Sequence, residues 1–364
     1  MRTLSCFAAL VLVALPTAAQ PEPITAQGLA QRGGQRLKNG DIDLAVTDFT
    51  EALKLDPKCS LAHYGLGAVC VRKREFEKAI QHYSAHLALE PKSMWGLIER
   101  GVAYGQTGQA PKGLIDLDRA VELYPMATQP LLGRATIFIS LKQYQKALDD
   151  GDTAIRLNRE YPGGHLARGM ALQRMGEYEK ALASLAEAYK RDHKDRATLH
   201  ARIGCHIATR DLKKALEDAE ALVKLAPQDA DSYHYRATVH FELCDWGRAL
   251  DDMKVALELN KDHASALANR ALIRAACPVA ERRDGKVALA DAKRACELTN
   301  WKAAFQLEVY AAAQAELGEF ALAMKWQREV LEHKEHMEQR GPDVRLRLKL
   351  YESKQPFRLP HRME

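Results

Sequence analysis

Small residues recur along most of the chain with a period of 34 residues. One such position is occupied by Ala45, Ala79, Gly113, Ala147, Ala181, Ala215 and Ala249, with no insertion or deletion between them. Further small residues precede these markers by 12 positions and follow them by seven. Small side chains let helices approach closely. The pattern therefore predicts repeated units, each made of two helices that interlock with the first helix of the next unit.

Glycines and prolines divide the units into helices. Gly40, Gly108 and Gly176 stand between the two helices of a unit, where a residue without a Cβ can adopt positive φ. At the junction between units, a proline ends the second helix, because proline has no N–H and a fixed φ. These prolines are Pro57, Pro91, Pro125 and Pro227. Each unit is thus predicted to run helix, turn, helix, stop.

These residues resemble the tetratricopeptide repeat. The repeat's pattern of small residues, an aromatic residue on each helix and a closing proline is matched by Gly67, Tyr83 and Pro91 in one unit. The next unit matches it with Gly101, Tyr104, Ala120 and Pro125. The resemblance covers roughly residues 26–332. It implies an all-α fold, a right-handed α-α superhelix or solenoid of about nine helix-turn-helix repeats with a C-terminal capping helix.

The domain organisation follows from this period. A signal peptide is predicted at 1–19, a short linker at 20–25 and the repeat array at 26–332. A capping helix opened by Pro342, with a tail behind it, is predicted at 333–364. A hinge at Gly163-Gly164 is less favoured than an ordinary turn between units. The units are predicted to start near residues 26, 60, 94, 128, 162, 196, 230, 264 and 303.

Arginines keep the same period, and an aspartate follows most of them 16 residues later. Positions 16 apart across the turn of an antiparallel helix pair lie level, so each arginine is expected to meet its own aspartate. Arg168 faces Ser184 instead and is expected to reach Asp150 of the preceding unit. Pairing is favoured over an anion-binding stripe. The predicted structural ion pairs are Arg100–Asp116, Arg134–Asp150, Arg202–Asp218, Arg236–Asp252 and Arg270–Asp291.

The first helices of the units are expected to line a concave groove that is largely apolar. An extended apolar surface usually marks a binding site, so the groove is predicted to take a partner peptide or helix. For each residue, burial in the core is an equal alternative. The predicted groove residues are Tyr64, Trp95, Ile98, Leu132, Leu166, Met170, His200, His234 and Phe241.

The N-terminal segment reads as a secretory signal. Arg2 precedes an apolar run from Leu4 to Leu15, and small residues end at Ala19. That run is too short to cross a bilayer, which needs about 20 helical residues. The mature protein is therefore expected to be exported to the periplasm or beyond, with no transmembrane segment after cleavage. A disulfide between Cys244 and Cys277 is disfavoured, and the cysteines are expected to be small core residues.

Composition narrows the function classes. The charge of +5 is small and mixed along the chain, which gives no strong attraction to nucleic acid or membranes. No catalytic motif appears, and no cofactor or metal site is predicted. The favoured function is a non-catalytic scaffold for protein partners of unknown identity, with no nucleic-acid ligand and an undetermined oligomeric state. A binder of an envelope polymer such as glycan or peptidoglycan is the alternative, and an RNA-binding helical repeat is a remote one.

Overall fold

A computed structural model of the protein describes residues 25–360. The predicted signal segment at 1–19 and nearly all of the predicted linker lie outside the described residues. Helices account for most of the described chain, and their contacts separate two compact units, with the boundary along the chain between Leu123 and Tyr124.

The first unit contains three helix-turn-helix pairs. Each pair consists of two helices of 13 or 14 residues joined by a turn of two or three residues. The helices are α1 (Ala26–Asn39), α2 (Ile42–Leu55), α3 (Ser60–Arg72), α4 (Phe76–Leu89), α5 (Met94–Gln106) and α6 (Ala110–Leu123).

The second unit continues the same alternation. Its pairs are α7 (Gln129–Ser140), α8 (Tyr144–Leu157), α9 (Pro162–Arg174), α10 (Tyr178–Arg191), α11 (Arg196–Ala208), α12 (Leu212–Leu225), α13 (Ala230–Glu242) and α14 (Trp246–Leu259). The remaining helices are α15 (Ala264–Ala276), α16 (Gly285–Leu298), α17 (Ala304–Glu316), α18 (Phe320–Leu331) and α19 (Lys334–Glu352). The longer connection between α15 and α16 carries a short 3₁₀ turn at Ala280–Arg282.

Close packing explains why small residues recur. A Cβ added to Gly67 on α3 would lie 2.6 Å from the ring of Tyr83 on α4. A Cβ on Gly169 of α9 would likewise lie 2.6 Å from the side chain of Leu185 on α10. Larger side chains at these positions would push the two helices of a unit apart, and interiors packed at crystal-like density tolerate this poorly.

In every helix pair of the described chain except α15 and α16, the turn contains a residue in the left-handed backbone region. Gly40, Gly108 and Gly176 occupy this place with φ of 92°, 73° and 81°. In the units between and after them the same place is taken by residues with a side chain, which adopt φ of 55° to 62°: Arg74, Lys142, Arg210 and Cys244. The turn geometry is therefore maintained by the fold even where the sequence lacks glycine.

The C-terminal helix begins earlier than its proline indicates. The prediction that Pro342 opens this helix is wrong, because α19 starts at Lys334 and contains Pro342 in its interior. A proline there removes a hydrogen bond to the carbonyl of Glu338. Glu338 and Pro342 are both exposed, so water can satisfy that carbonyl. Val344 and Tyr351 of α19 are fully buried against the last repeat.

The chain then crosses back over earlier helices. The backbone N–H of Leu359 donates to the carbonyl of Ala276 at 2.8 Å, and Leu359 is buried in the core cluster around α15. Arg358 Nη1 lies 2.7 Å from Glu316 Oε2. The segment after α19 is therefore part of the packed end of the second unit.

Candidate functional site

The arginine and aspartate ladder lies between the two helices of a unit. Arg100 Nε and Nη2 donate to the two carboxylate oxygens of Asp116 at 2.7 and 2.8 Å. The carboxylates are almost fully buried, whereas the arginines keep part of their surface in solvent. The same two-pronged geometry, at 2.6 to 2.9 Å, occurs in Arg134–Asp150, Arg236–Asp252 and Arg270–Asp291.

Arg202 and Asp218 are less completely paired. Arg202 Nη2 lies 3.2 Å from Asp218 Oδ1, while Asp218 Oδ2 has no hydrogen-bond partner. Burial raises the pKa of Asp218 to about 6 in spite of the arginine. His206 Nε2 stands 3.8 Å from the same carboxylate, and burial lowers the pKa of this histidine.

Two members of the ladder differ from expectation. Arg32 and Asp48 form a pair in the first repeat, with Nη2 and Oδ1 2.6 Å apart. Sequence analysis missed this pair because Leu66 interrupts the arginine series, although the spacing of 16 residues was available as a signal. The expected contact between Arg168 and Asp150 is wrong: the carboxylate nearest Arg168 Nε is that of Asp152, at 3.1 Å.

The predicted groove residues of the first unit have very different exposures. Trp95 on α5 exposes 48% of its surface. Ile98 exposes only 6%, so it is a core residue and not part of a contact surface. Tyr64 is half-buried, with its ring 5.7 Å from that of Tyr83 and 5.3 Å from that of His86. Burial raises the pKa of Tyr64 to about 12, so its hydroxyl is neutral at physiological pH.

In the second unit, three predicted groove residues lie together. Leu132, Leu166 and Met170, on α7 and α9, line one open depression of about 350 Å³. A second depression of about 490 Å³ shares Met170 and extends to His200 on α11. We call this continuous surface the trough. Its main side chains are those of Leu132, Ile139, Tyr161, Leu166, Met170, His200 and Tyr235.

Charged groups lie at the edges of the trough. Asp192 and Asp195 line the first depression, where Asp195 also caps α11 through the N–H groups of Ala197 and Thr198. Arg174 lines the second depression. The trough therefore has an apolar floor with a negative edge at one end and a positive side chain toward the other.

Histidines continue this surface along the first helices. The ring of His200 stacks on that of Tyr235 at 4.2 Å, and the ring of His234 lies 4.9 Å from that of His263. His263 Nε2 is 2.9 Å from Asp231 Oδ1. Burial lowers the pKa of His200, and it lowers that of His234 to about 4. Both imidazoles are thus neutral at pH 7, and they act as flat, weakly polar surfaces.

Phe241 belongs to a different depression. Its ring packs edge-on against Trp246 at 5.2 Å. It lines a space of about 530 Å³ together with Phe357 and Leu359, which come from the segment after α19. The structure therefore places Phe241 beside the chain's own C-terminal segment and apart from Leu132, Leu166 and Met170. The sequence pattern contained no sign of this return.

The remaining candidate features are the cysteines, metal-binding clusters and membrane-spanning helices. Cys244 and Cys277 are free, as are the other cysteines of the described range. Within residues 25–360, no group of three or more histidine, cysteine or acidic side chains is arranged to hold a metal ion. In the same part of the chain, none of the helices is both long and apolar enough to span a bilayer.

Comparisons with known proteins agree with the repeat architecture. The family model described as Tetratricopeptide repeat matches residues 35–93 and 166–230. A solved tetratricopeptide repeat protein from Parabacteroides merdae is 19% identical, with a TM-score of 0.53 over 66% of this chain and 95% of that one. Human IFIT1, solved as a dimer with m7Gppp-AAAA, is 12% identical, with a TM-score of 0.60 over 85% of this chain and 72% of that one.

A third similar structure is Cut9 with Hcn1, a hetero-tetramer of the APC/C. It is 15% identical, with a TM-score of 0.58, and the match covers 78% of this chain and 55% of that one. At these identities the likeness concerns the fold.

The helix pairs and their 34-residue period define an all-α protein of the helical-repeat solenoid class. The family match identifies tetratricopeptide repeats within this solenoid, at residues 35–93 and 166–230. Such repeats generally mediate protein–protein interaction or scaffolding, and the fold is typically non-catalytic.

Proposed function

We propose that this protein is a non-catalytic, exported scaffold that binds a protein partner in the trough. The observation that carries the proposal is the continuous apolar floor formed by Leu132, Leu166 and Met170. Their side chains remain half-buried, so they are accessible and also anchored by the helices beneath. A partner that covers these side chains removes apolar surface from water. Each Å² of apolar surface removed favours association by a free energy of about 25 cal/mol.

The partner chemistry follows from the edges of the trough. An amphipathic helix or an extended peptide would place apolar side chains on the floor. A basic side chain near Asp192 and Asp195 would complement the negative edge. The same carboxylates would repel a phosphate backbone, which favours a protein partner over nucleic acid. The polymer alternative would need several exposed aromatic residues, of which Trp95 in the first unit is one.

The test compares two methionines. Met170→Glu places a charge on the floor of the trough, whereas Met126→Glu places the same charge on an exposed residue outside it. A photo-cross-linking amino acid at Leu132 would capture the partner in the native envelope. We expect the same protein to be captured from the parent and from Met126→Glu, and to be lost from Met170→Glu. Equal capture by both variants, or capture of glycan instead of protein, would contradict the proposal.

A further inference from the structure

The ladder has one vacancy, at the unit formed by α9 and α10. Arg168 stands at the place of the paired arginines, but the position 16 residues later is Ser184. In three other units of the ladder, the carboxylate at that position accepts hydrogen bonds from both Nε and Nη2 of the arginine. Asp291, which follows Arg270 by 21 residues, accepts the same two bonds. Ser184 is buried and offers a single hydroxyl in place of two carboxylate oxygens. The fork of Arg168 therefore lacks the partner that the fold provides elsewhere.

Asp152 does not replace that partner. Its Oδ1 is 3.1 Å from Arg168 Nε, but the approach lacks hydrogen-bond geometry, and Nε is a buried nitrogen without a hydrogen-bond partner. The side chains of Arg168 and Asp152 are 43% and 41% exposed, compared with 22% and 7% for Arg100 and Asp116. A half-exposed pair contributes little, so Asp152 can turn to solvent at small cost.

An open depression of about 510 Å³ lies beside the vacancy. Arg159, His165 and Arg168 line it from the α8–α9 side, and Lys180, Ser184 and Glu187 line it from α10. Glu187, the carboxylate of this lining, is held by Arg191, whose hydrogen bond lowers the pKa of Glu187. This depression shares no lining residue with the trough.

We propose that this depression is a carboxylate-binding site, in which an acidic side chain or a C-terminal carboxylate of a bound peptide takes the place of the missing aspartate on Arg168. The incoming carboxylate would receive two parallel N–H bonds from the guanidinium, as Asp116 does from Arg100. Lys180 and Arg159 are close enough to the same space to add attraction for an anion. The site does not depend on what the trough binds.

The first experiment follows the Nε–H resonance of Arg168 by NMR in the full chain. The probes are the peptides Ac-Gly-Glu-Gly-NH2, with a side-chain carboxylate, and Ac-Gly-Gln-Gly-OH, with a terminal one. Neutral Ac-Gly-Gln-Gly-NH2, sodium phosphate and sodium chloride at equal ionic strength are the comparisons. We expect a saturable shift with one or both carboxylate peptides and a larger affinity for them than for phosphate. The stronger of the two peptides identifies the source of the carboxylate.

Two substitutions on α10 make the test specific. Ser184→Asp supplies the missing carboxylate within the chain and should weaken peptide binding by about tenfold to a hundredfold, the effect of a lost hydrogen bond to a charged group. Ala186→Asp adds the same charge at an exposed position of the same helix, outside the depression, and should change binding by no more than about twofold. Circular dichroism would verify that both variants fold.

Three outcomes would overturn the proposal. The first is an Arg168 resonance that responds no more to the carboxylate peptides than to chloride or to the neutral peptide. The second is tighter binding of phosphate than of either carboxylate. The third is equal behaviour of Ser184→Asp and Ala186→Asp, with both variants retaining the response or both losing it. The effect would then not arise from occupation of the vacancy.

Discussion

A single backbone angle distinguishes otherwise similar glycines. Gly34 lies inside α1 and Gly40 lies in the turn after it, and a Cβ added to either would meet no atom within 4 Å. They differ in φ, which is 92° at Gly40 and in the ordinary helical region at Gly34. Space therefore permits alanine at both positions, and only the backbone conformation opposes it at one of them.

We predict opposite effects for the same substitution at these two positions. Gly34→Ala should stabilise the first unit by about 0.5–1 kcal/mol, because alanine loses less conformational entropy in a helix. Gly40→Ala should destabilise it by about 1 kcal/mol, because a Cβ strains the left-handed conformation. Urea unfolding followed by circular dichroism would measure both. Destabilisation of similar size by both variants would show that φ is not the deciding factor.

His234 makes the free energy of unfolding depend on pH. Burial lowers its pKa to about 4 in the folded protein, below the 6.5 of the unfolded chain. The unfolded state therefore binds a proton first as the pH falls, so the free energy of unfolding decreases below about pH 6.5 and continues to decrease toward pH 4. His200 shifts in the same direction for the same reason.

We predict that His234→Gln removes part of this dependence. Between pH 7.5 and pH 5 the parent should lose about 2 kcal/mol more stability than His234→Gln, since one pKa unit corresponds to about 1.4 kcal/mol. The exposed His193, changed to Gln, serves as the control and should behave like the parent. Identical pH profiles for the parent and His234→Gln would mean that His234 is protonated as readily in the folded state as in the unfolded one.

At the scale of helices, the last repeat is joined to α19 by buried charge. Glu308 on α17 and Arg347 on α19 are almost completely buried, and Arg347 Nη1 lies 2.6 Å from Glu308 Oε2. His336 Nε2 contacts the other oxygen of Glu308 at 2.5 Å. Gln327 on α18 also donates to the carbonyl of Val344 at 3.0 Å. These polar contacts specify where α19 docks on an otherwise apolar surface.

We predict that Arg347→Leu destabilises the second unit by about 3 kcal/mol, because it leaves the Glu308 carboxylate buried and incompletely neutralised. Arg347→Leu combined with Glu308→Leu should recover much of this loss, since an apolar pair has no charge to desolvate. Thermal unfolding and amide exchange in α19 would measure the effect. A double variant no more stable than the single one would show that the loss comes from packing instead of charge.

The helices themselves were largely predictable, whereas several side-chain contacts were not. The 34-residue period places small residues at most helix crossings, so helix pairs follow from local pattern. No glycine marks the turns at Arg74, Lys142, Arg210 and Cys244 in the sequence. Tertiary packing imposes the left-handed conformation there, so the sequence pattern did not predict it. The sequence period assigns Ile98 and Phe241 to one groove, because a period locates a residue only on a face of its helix. It does not reveal what covers that face.

The whole molecule is divided by packing into two compact units at Leu123 and Tyr124. The 34-residue spacing continues through this boundary without change. A constant sequence period therefore does not reveal where packing divides the array. The proposed trough and the proposed carboxylate site both belong to the second unit.

The predicted export of the chain can be tested directly. We predict that the native protein begins at Gln20 and that its mass lacks residues 1–19, because the apolar run from Leu4 to Leu15 has the length and flanks of a secretory signal. N-terminal sequencing and intact mass of protein from the native envelope would measure this. Leu10→Arg, which interrupts the run, should leave the chain unprocessed. Native protein that still begins at Met1 would contradict cleavage.

The sequence by itself determined the repeat, the helix-turn-helix unit and the level at which arginine meets aspartate. These depend on periodic spacing, which a linear pattern records. Only the tertiary structure decided that Arg168 meets no well-aligned carboxylate, that Ile98 is buried and that the C-terminal segment returns to α15. These contacts depend on which distant side chains reach the same space, and no local period contains that information.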